Sequence, residues 1–455
     1  MNNNTIAAIA TPRGMGGIGV IRISGEKAKN IADKIFVSAS GKSLEETPGY
    51  TARYGKIVEN DQILDDVIAL VFTAPNSYTG EDVVEVSCHG GLYITQKVLR
   101  AILNSGAAPA EPGEFTKRAF LNGKIDLTQA EFIMDLISAN GEQAAKAAAL
   151  GKEGVIYKRI TNVKNELINL AAHLSAWADY PEDDVPQISE ESIKETLQNS
   201  MNELEKLLQN YDAGVILKEG LNTVIVGRPN VGKSTLMNLL SGCEKSIVTD
   251  IAGTTRDVVE ETIMLGDVML RLADTAGIRN TEDKVEKIGV DKAKEKIKTS
   301  KLVLAVFDGT SELLEDDLKI LNSLNPNNSI AVINKADLGL NMNLEPIKEK
   351  VTAIVELSAK SGEGLENLSR IIYDLVGFSK LEDGEGILSN ERQRKAVMNA
   401  EKAINEALDT LRLGMTLDAV TVSIEEAIQE LLELTGERAS EVVVNEVFSQ
   451  FCVGK

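Results

Sequence analysis

The sequence predicts a multidomain α/β protein. An α+β domain opens the chain, an α-helical domain follows, and a P-loop domain with a parallel-type α/β sheet is inserted into the helical part. Three observations predict this. Gly227–Thr235 reads GRPNVGKST and fits G-x-x-x-x-G-K-[ST] between a strand-like and a helix-like run. The motifs DTAG, NKAD and SAK follow it in that order, each after an apolar run. Helix-patterned stretches lie both before and after this region, and insertion is easy when the two ends of an inserted domain lie close together.

Composition narrows the options. The 455 residues allow two to four domains, and 43% hydrophobic content is ordinary for globular protein. No apolar run is long enough for a membrane helix. The opening MNNNTIAAIATPRG has no basic region before an apolar core, so no secretory signal is expected and a cytoplasmic location is. Cys88, Cys243 and Cys452 are odd in number and widely spaced, which fits reduced thiols better than a disulfide frame or a zinc site. A net charge of −21 excludes a general phosphate-driven nucleic-acid binder, so any RNA role needs a local basic face or a basic partner. Aromatic residues are sparse at 4%, which leaves no obvious stacking platform for single strands.

Residues 1–120 mix strands (Gly19–Ile23, Asp66–Phe72, Asp82–Ser87) with helices (Lys27–Phe36, Leu92–Leu103). The glycines Gly14, Gly16, Gly17 and Gly19 precede a strand rather than follow one, so they read as a turn and not as a nucleotide fingerprint. The helical domain is assigned to 121–216 and 377–455. Its first part carries the seam Ile156, Ile160, Val163, Leu167, Leu170, Leu174, Trp177, spaced by four and three, which ends in the acidic turn around Pro181. A second seam runs Ile193, Leu197, Met201, Leu204, Leu208, Tyr211. After the nucleotide domain, helical patterning resumes with Val397, Ile404, Leu408, Leu411, then Ile424, Ile428, Leu431. Both seams read as helix-on-helix core.

The nucleotide domain is assigned to 217–376. Thr223–Val226 is the strand before the P-loop, and the helix opens near Leu236. In such a loop the backbone N–H groups around Asn230, Val231, Gly232 and Thr235 close on phosphate oxygens, Lys233 reaches the β- and γ-phosphates, and the Ser234 hydroxyl is offered to Mg²⁺. Asp274-Thr275-Ala276-Gly277 follows Val268–Leu272; the Asp can hold the water shell of Mg²⁺ and Gly277 can offer its N–H to the γ-phosphate. Asn334-Lys335-Ala336-Asp337 follows Ile330–Ile333. The Asp337 carboxylate can accept from guanine N1 and N2, a pairing adenine cannot supply. Ser358-Ala359-Lys360 follows Ala353–Leu357 and can complete the base site. The residues alone therefore predict a GTPase with two additional domains.

With Thr249-Asp250-Ile251-Ala252-Gly253-Thr254-Thr255-Arg256-Asp257 as switch I, with DTAGIR, and with the closing Phe451-Cys452-Val453-Gly454-Lys455, the chain resembles the tRNA uridine-34 modification GTPases, the MnmE (TrmE) family. The stretches Asn76–Glu85 and Pro112–Leu127 share the likeness, which covers the whole chain. Val453 departs slightly, since Ile or Leu is common there. The resemblance implies a folate-binding N-terminal domain and an inserted Ras-like G domain. It implies a homodimer that joins a flavin-dependent partner of the MnmG (GidA) type in a heterotetramer. The product implied is an aminomethyl or carboxymethylaminomethyl group on C5 of the wobble uridine of tRNA, built with a carbon of 5,10-methylene-tetrahydrofolate, for which 5-formyl-tetrahydrofolate is an analogue. Arg22, Glu85, Lys124 and Lys455 fall where the family contacts folate; Arg and Lys suit the glutamate carboxylates, and Glu85 suits the pterin amino edge. Cys452 is the motif thiol.

Hydrolysis needs an oriented water and positive charge. The position after the DTAG glycine holds Ile278, which cannot orient water, and no arginine finger is evident. The resemblance implies K⁺ instead, held by Asn230 and closed in by Thr249, Ile251 and Thr254, with Thr255 joining Ser234 on Mg²⁺. Glu286, twelve residues after Asp274, matches the family's water-orienting glutamate. A regulatory GTPase of ribosome assembly shares GRPNVGKS and NKAD but usually carries a basic RNA-binding module, which this chain lacks in sequence. A stand-alone folate-dependent transferase leaves the P-loop unexplained. Neither alternative needs the terminal Cys-x-Gly-Lys.

Overall fold

The structure, a computed structural model, describes residues 4–179, 189–242, 261–272, 297–380 and 384–455. The chain forms two compact units, one of Met1–Met134, Lys152–Ser200 and Asn399–Lys455, the other of Asp135–Gly151 and Met201–Met398. The first unit is discontinuous, interrupted by the nucleotide-binding stretch, as an inserted domain requires.

The first unit is built on strands β1 (Ile6–Ile9), β2 (Ile18–Ser24), β3 (Phe36–Ser38), β4 (Thr51–Glu59), β5 (Gln62–Phe72), β6 (Val83–His89) and β7 (Ala108–Pro109). They form one sheet in the order β3-β4-β5-β6-β2-β1-β7, antiparallel except for the β1–β7 pair. Alternation puts Ile21, Ile23, Val67, Ala69, Val71, Val84 and Val86 into one core with Val98, Ala101 and Ile102 of helix Leu92–Asn104. The other face carries Arg22 beside its register partner Glu85. The expected helix Lys27–Phe36 is shorter, Ala28–Asp33, because Phe36 leaves it to pair with Ile57 of β4.

Two long helices of this unit pack on each other. Val155–Asp179 packs against Leu417–Thr435. Ile156, Ile160, Val163, Leu167, Leu170 and Leu174 are buried along the first helix, and Val420, Ile424, Ala427, Leu431 and Leu434 along the second. Each buried Val, Leu or Ile among them contributes about 1.5–3 kcal/mol relative to exposure. Gly436 ends the second helix in the left-handed region (φ +87°), where a Cβ would collide with Leu127 and the Phe120 ring. Helix Glu441–Ser449 follows, capped by Ser440, whose hydroxyl accepts from the Val443 N–H. It buries Val444, Val447 and Phe448 against Leu127 and Phe120, with Phe451 in the same cluster.

The second unit contains β8 (Leu221–Val226), β9 (Glu261–Leu265), β10 (Val268–Leu272), β11 (Leu302–Asp308), β12 (Ser329–Asn334) and β13 (Ala353–Leu357). Their order is β13-β12-β11-β8-β10-β9, parallel except for the β9–β10 hairpin. Both faces are covered. Ile225, Leu304, Val306, Ile330 and Val332 enter one core and Val224, Val226, Val303, Ala305, Phe307 and Ile333 the other. β11 is apolar from Leu302 to Phe307 and buried at all seven positions, Asp308 included. No helix among the described residues is long and apolar enough to cross a membrane.

Candidate functional site

The P-loop leaves the carboxyl end of β8, flanked by β11 and β10, and leads into helix Lys233–Ser241. In an open α/β sheet this is where ligands gather. Asn230 and Gly232 both take the left-handed region (φ +63° and +98°), a backbone conformation from which anion-binding nests of N–H groups are built. A Cβ on Gly232 would strike the Asn334 amide, so only glycine lets the two loops approach. Lys233 Nζ donates to the carbonyls of Gly227 and Arg228, both at 2.8 Å, which holds the ammonium across the mouth of the loop.

The base-side loops are tied to the phosphate loop through Asn334. Its Nδ2 donates to the Val231 carbonyl (2.8 Å), and its Oδ1 accepts from the Ala359 N–H (2.9 Å). One buried amide therefore joins the P-loop, NKAD and SAK. Asp337 follows on the short turn Ala336–Leu338 and is exposed. Ser358 is buried and Lys360 exposed.

Two contacts here are not visible in the motifs. Asp308, which ends β11, accepts from Lys335 Nζ at 2.5 Å and from the Thr310 N–H and hydroxyl. Burial alone would raise this carboxyl; the hydrogen bonds from Lys335 and Thr310 outweigh it and hold the group below the usual carboxylate range. The signal that could have found it is its place at the end of an apolar run, the same logic that marks Asp274. Arg228 pairs with buried Asp317 (3.0 Å) and donates to Ser311 Oγ (2.9 Å), so a side chain outside the fixed motif positions anchors the loop.

Thr249, Asp250, Ile251, Ala252, Gly253, Thr254, Thr255, Asp274, Thr275, Ala276, Gly277 and Glu286 lie outside the described residues.

A second cluster forms in the first unit. The Arg22 guanidinium places Nε and Nη2 each 2.8 Å from Glu85 Oε1, and Nη1 donates to the Gly454 carbonyl (3.4 Å). The rings of Tyr78 and Phe115 lie 5.4 and 5.5 Å from its Cζ. The Tyr78 hydroxyl is 2.8 Å from Thr116 Oγ1. The chain end is fixed by backbone contacts: Gly113 N–H to the Cys452 carbonyl (3.4 Å), Phe115 N–H to the Lys455 carbonyl (3.2 Å), and a bridge between Pro112 and Val453. Cys452 is exposed, whereas Cys88 is buried and its thiol is pushed up to about 11 by burial and by Asp65. Burial, then the charges of Arg22 and Lys152, lower the Lys455 ammonium, an arrangement that an anionic group would relieve. Lys124 donates to the Pro75 carbonyl (3.2 Å), in the same 73–82 loop as Tyr78.

The fold and the loops define a P-loop domain of the G-protein type, joined to an α+β domain with a docked C-terminal segment. The model of the MnmE helical domain matches residues 127–452, and that of the GTP-binding protein TrmE N-terminus matches residues 5–124. The tRNA modification GTPase MnmE of Carboxydothermus hydrogenoformans is 42% identical over all of both chains. That of Clostridioides difficile is 42% identical over 100% of this chain and 99% of its own. Among solved structures, an Aquifex aeolicus Era variant bound to GDP·AlF4− is 30% identical over 40% of this chain and 66% of that one, with a TM-score of 0.27. The chain belongs to the MnmE family.

Proposed function

We propose that this protein is a GTPase that modifies the wobble uridine of certain tRNAs at C5. The observation that carries the GTPase half is the Asn334 bridge, which gathers phosphate loop and base loops into one cradle. Asp337 selects guanine by accepting from N1 and N2. Lys233 and the N–H groups of the P-loop carry phosphate charge, and Ser234 with Thr255 would hold Mg²⁺, which when bound would neutralise charge on the β- and γ-phosphates. The left-handed backbone at Asn230 and Gly232 suits a phosphate-binding nest, and an exposed Asn230 fits a K⁺ ligand. Thr249, Ile251 and Thr254 complete the potassium site, and Glu286 orients water in place of the glutamine that Ile278 replaces.

The modification half rests on the cluster of Arg22, Glu85, Lys455 and Cys452. A cationic group lowered by burial and by like charges fits a carboxylate-bearing ligand, and methylene-tetrahydrofolate supplies the one-carbon unit. Glu85 meets the pterin, Lys124 and Lys455 meet carboxylate, and Cys452 serves the modification and not GTP hydrolysis. The divisions 1–120, 121–216, 217–376 and 377–455 then correspond to folate binding and dimerisation, helical scaffold, GTPase, and helical scaffold with the reactive tail. A homodimer working in the cytoplasm with a flavin-dependent partner completes the reading, and the partner supplies the redox chemistry. Liquid chromatography of tRNA nucleosides from a deletion strain tests it: C5-modified wobble uridine should vanish and return with the gene.

A further inference from the structure

We propose that Arg228 is a positioning residue for GTP hydrolysis. Held by Asp317 and Ser311, it keeps its own carbonyl where Lys233 needs it, and it does not touch phosphate itself. This deepens the GTPase reading above and rests on it. Lys233 Nζ donates to the carbonyls of Gly227 and Arg228, each at 2.8 Å. Those two oxygens set where the ammonium that reaches the β- and γ-phosphates stands. Gly227 is fixed by the sheet, since a Cβ there would lie 2.5 Å from the Val306 carbonyl oxygen of β11. Arg228 is one residue beyond that close approach, and Pro229 after it has no N–H with which to tie the loop. The side chain of Arg228 supplies a tie instead.

That side chain is already engaged. Nε donates to Asp317 Oδ2 (3.0 Å) and Nη2 to Ser311 Oγ (2.9 Å), and the side chain is only 16% exposed. The Asp317 side chain is 1% exposed. Its Oδ2 also accepts from the Leu314 N–H (3.1 Å) at the start of helix Glu315–Leu321, and its Oδ1 is buried with no hydrogen-bond partner. A carboxylate so buried relies on its paired cation, which makes the link hard to break. The tie therefore runs from a buried acid, through one arginine, to a backbone oxygen that Lys233 grips. An arginine committed in this way is not free to meet charge that develops on the transferring phosphoryl group.

The test separates phosphate positioning from a plain folding role and from direct contact with the transition state. Affinities of wild type and Arg228→Ala for GDP and GMP are read by displacement of a fluorescent GDP analogue. Single-turnover GTP hydrolysis and deuterium exchange of the 230–234 amides are followed alongside. Arg228→Ala should weaken GDP about tenfold and GMP less than about twofold, because Lys233 meets the β-phosphate and GMP has none. Exchange in 230–234 should quicken by about tenfold. In a Lys233→Ala background the same change should leave GDP affinity as it was, since the group through which Arg228 acts is gone. Equal loss of GMP and GDP would overturn the proposal in favour of a folding role. Unchanged GDP affinity or unchanged exchange would overturn it too, and hydrolysis slowed about a hundredfold with GDP affinity intact would make Arg228 a transition-state contact. Should Arg228→Ala not fold, Asp317→Asn decides: it keeps the shape, loosens the grip on Arg228 and should show the same selective loss of GDP, at about threefold. If wild type binds no GDP, the GTPase reading falls, and exchange in 230–234 still decides whether Arg228 holds the loop.

Discussion

Lys335 Nζ lies 2.5 Å from Asp308 Oδ2 and donates to the Asn230 carbonyl at 3.3 Å, so one ammonium couples the end of β11 to the phosphate loop. Asp308→Asn keeps the shape and removes the charge. It should weaken GDP binding about tenfold, measured with a fluorescent GDP analogue. The carboxyl is lowered in the folded state, so its contribution is present above the ordinary carboxylate range and is lost as pH falls through the lowered value. The gap between wild type and Asp308→Asn should therefore be constant near neutrality and close only below about pH 4.

Nucleotide choice follows from Asp337. The protein should bind GTP and GDP far better than ATP. Asp337→Asn should weaken guanine nucleotides by roughly a hundredfold or more and admit xanthine nucleotides. Comparable wild-type affinity for ATP and GTP would remove this assignment.

Potassium is the third expectation. Hydrolysis should run faster in KCl than in NaCl at equal ionic strength, and G domains should pair when a transition-state analogue is bound. Asn230→Ala should abolish the difference between salts while GTP binding survives. Equal wild-type rates in the two salts would sink the assignment of Asn230.

The tail depends on an apolar anchor. Phe448 is 2% exposed, with ring centroids 6.1 Å from Phe120 and 5.3 Å from Phe451. Phe448→Ala should cost about 3–5 kcal/mol of local stability, read as faster hydrogen exchange across residues 441–455. Unchanged exchange there would mean that the tail is held without this cluster.

Much of this was legible in the sequence, because periodicity and motif spacing are local signals. The seam from Ile156 to Leu174 is buried as expected, and the strands before NKAD and SAK end where those motifs begin. Long-range pairings were not legible. Thr51–Glu59 alternates in burial as far as Ile57, but its exposed face carries Ala52 and Tyr54 while its inner face carries Thr51, Arg53 and Gly55, so the residue types show no clean alternation. Asp308 belongs to no short motif, although it ends a buried strand. The side-chain bond from Arg22 to Gly454 spans 432 positions, and only the fold brings those residues together.

In the proposed function one chain joins GTP hydrolysis to uridine modification through a site completed by its tail. The most direct measurement is nucleoside chromatography of tRNA from a deletion strain carrying either wild type or Cys452→Ser, with GTPase rates measured on both purified proteins. Cys452→Ser should hydrolyse GTP at the normal rate and leave the wobble uridine unmodified in that strain. Full modification by Cys452→Ser would remove the chemical role assigned to the thiol and leave the docked tail with a purely structural part.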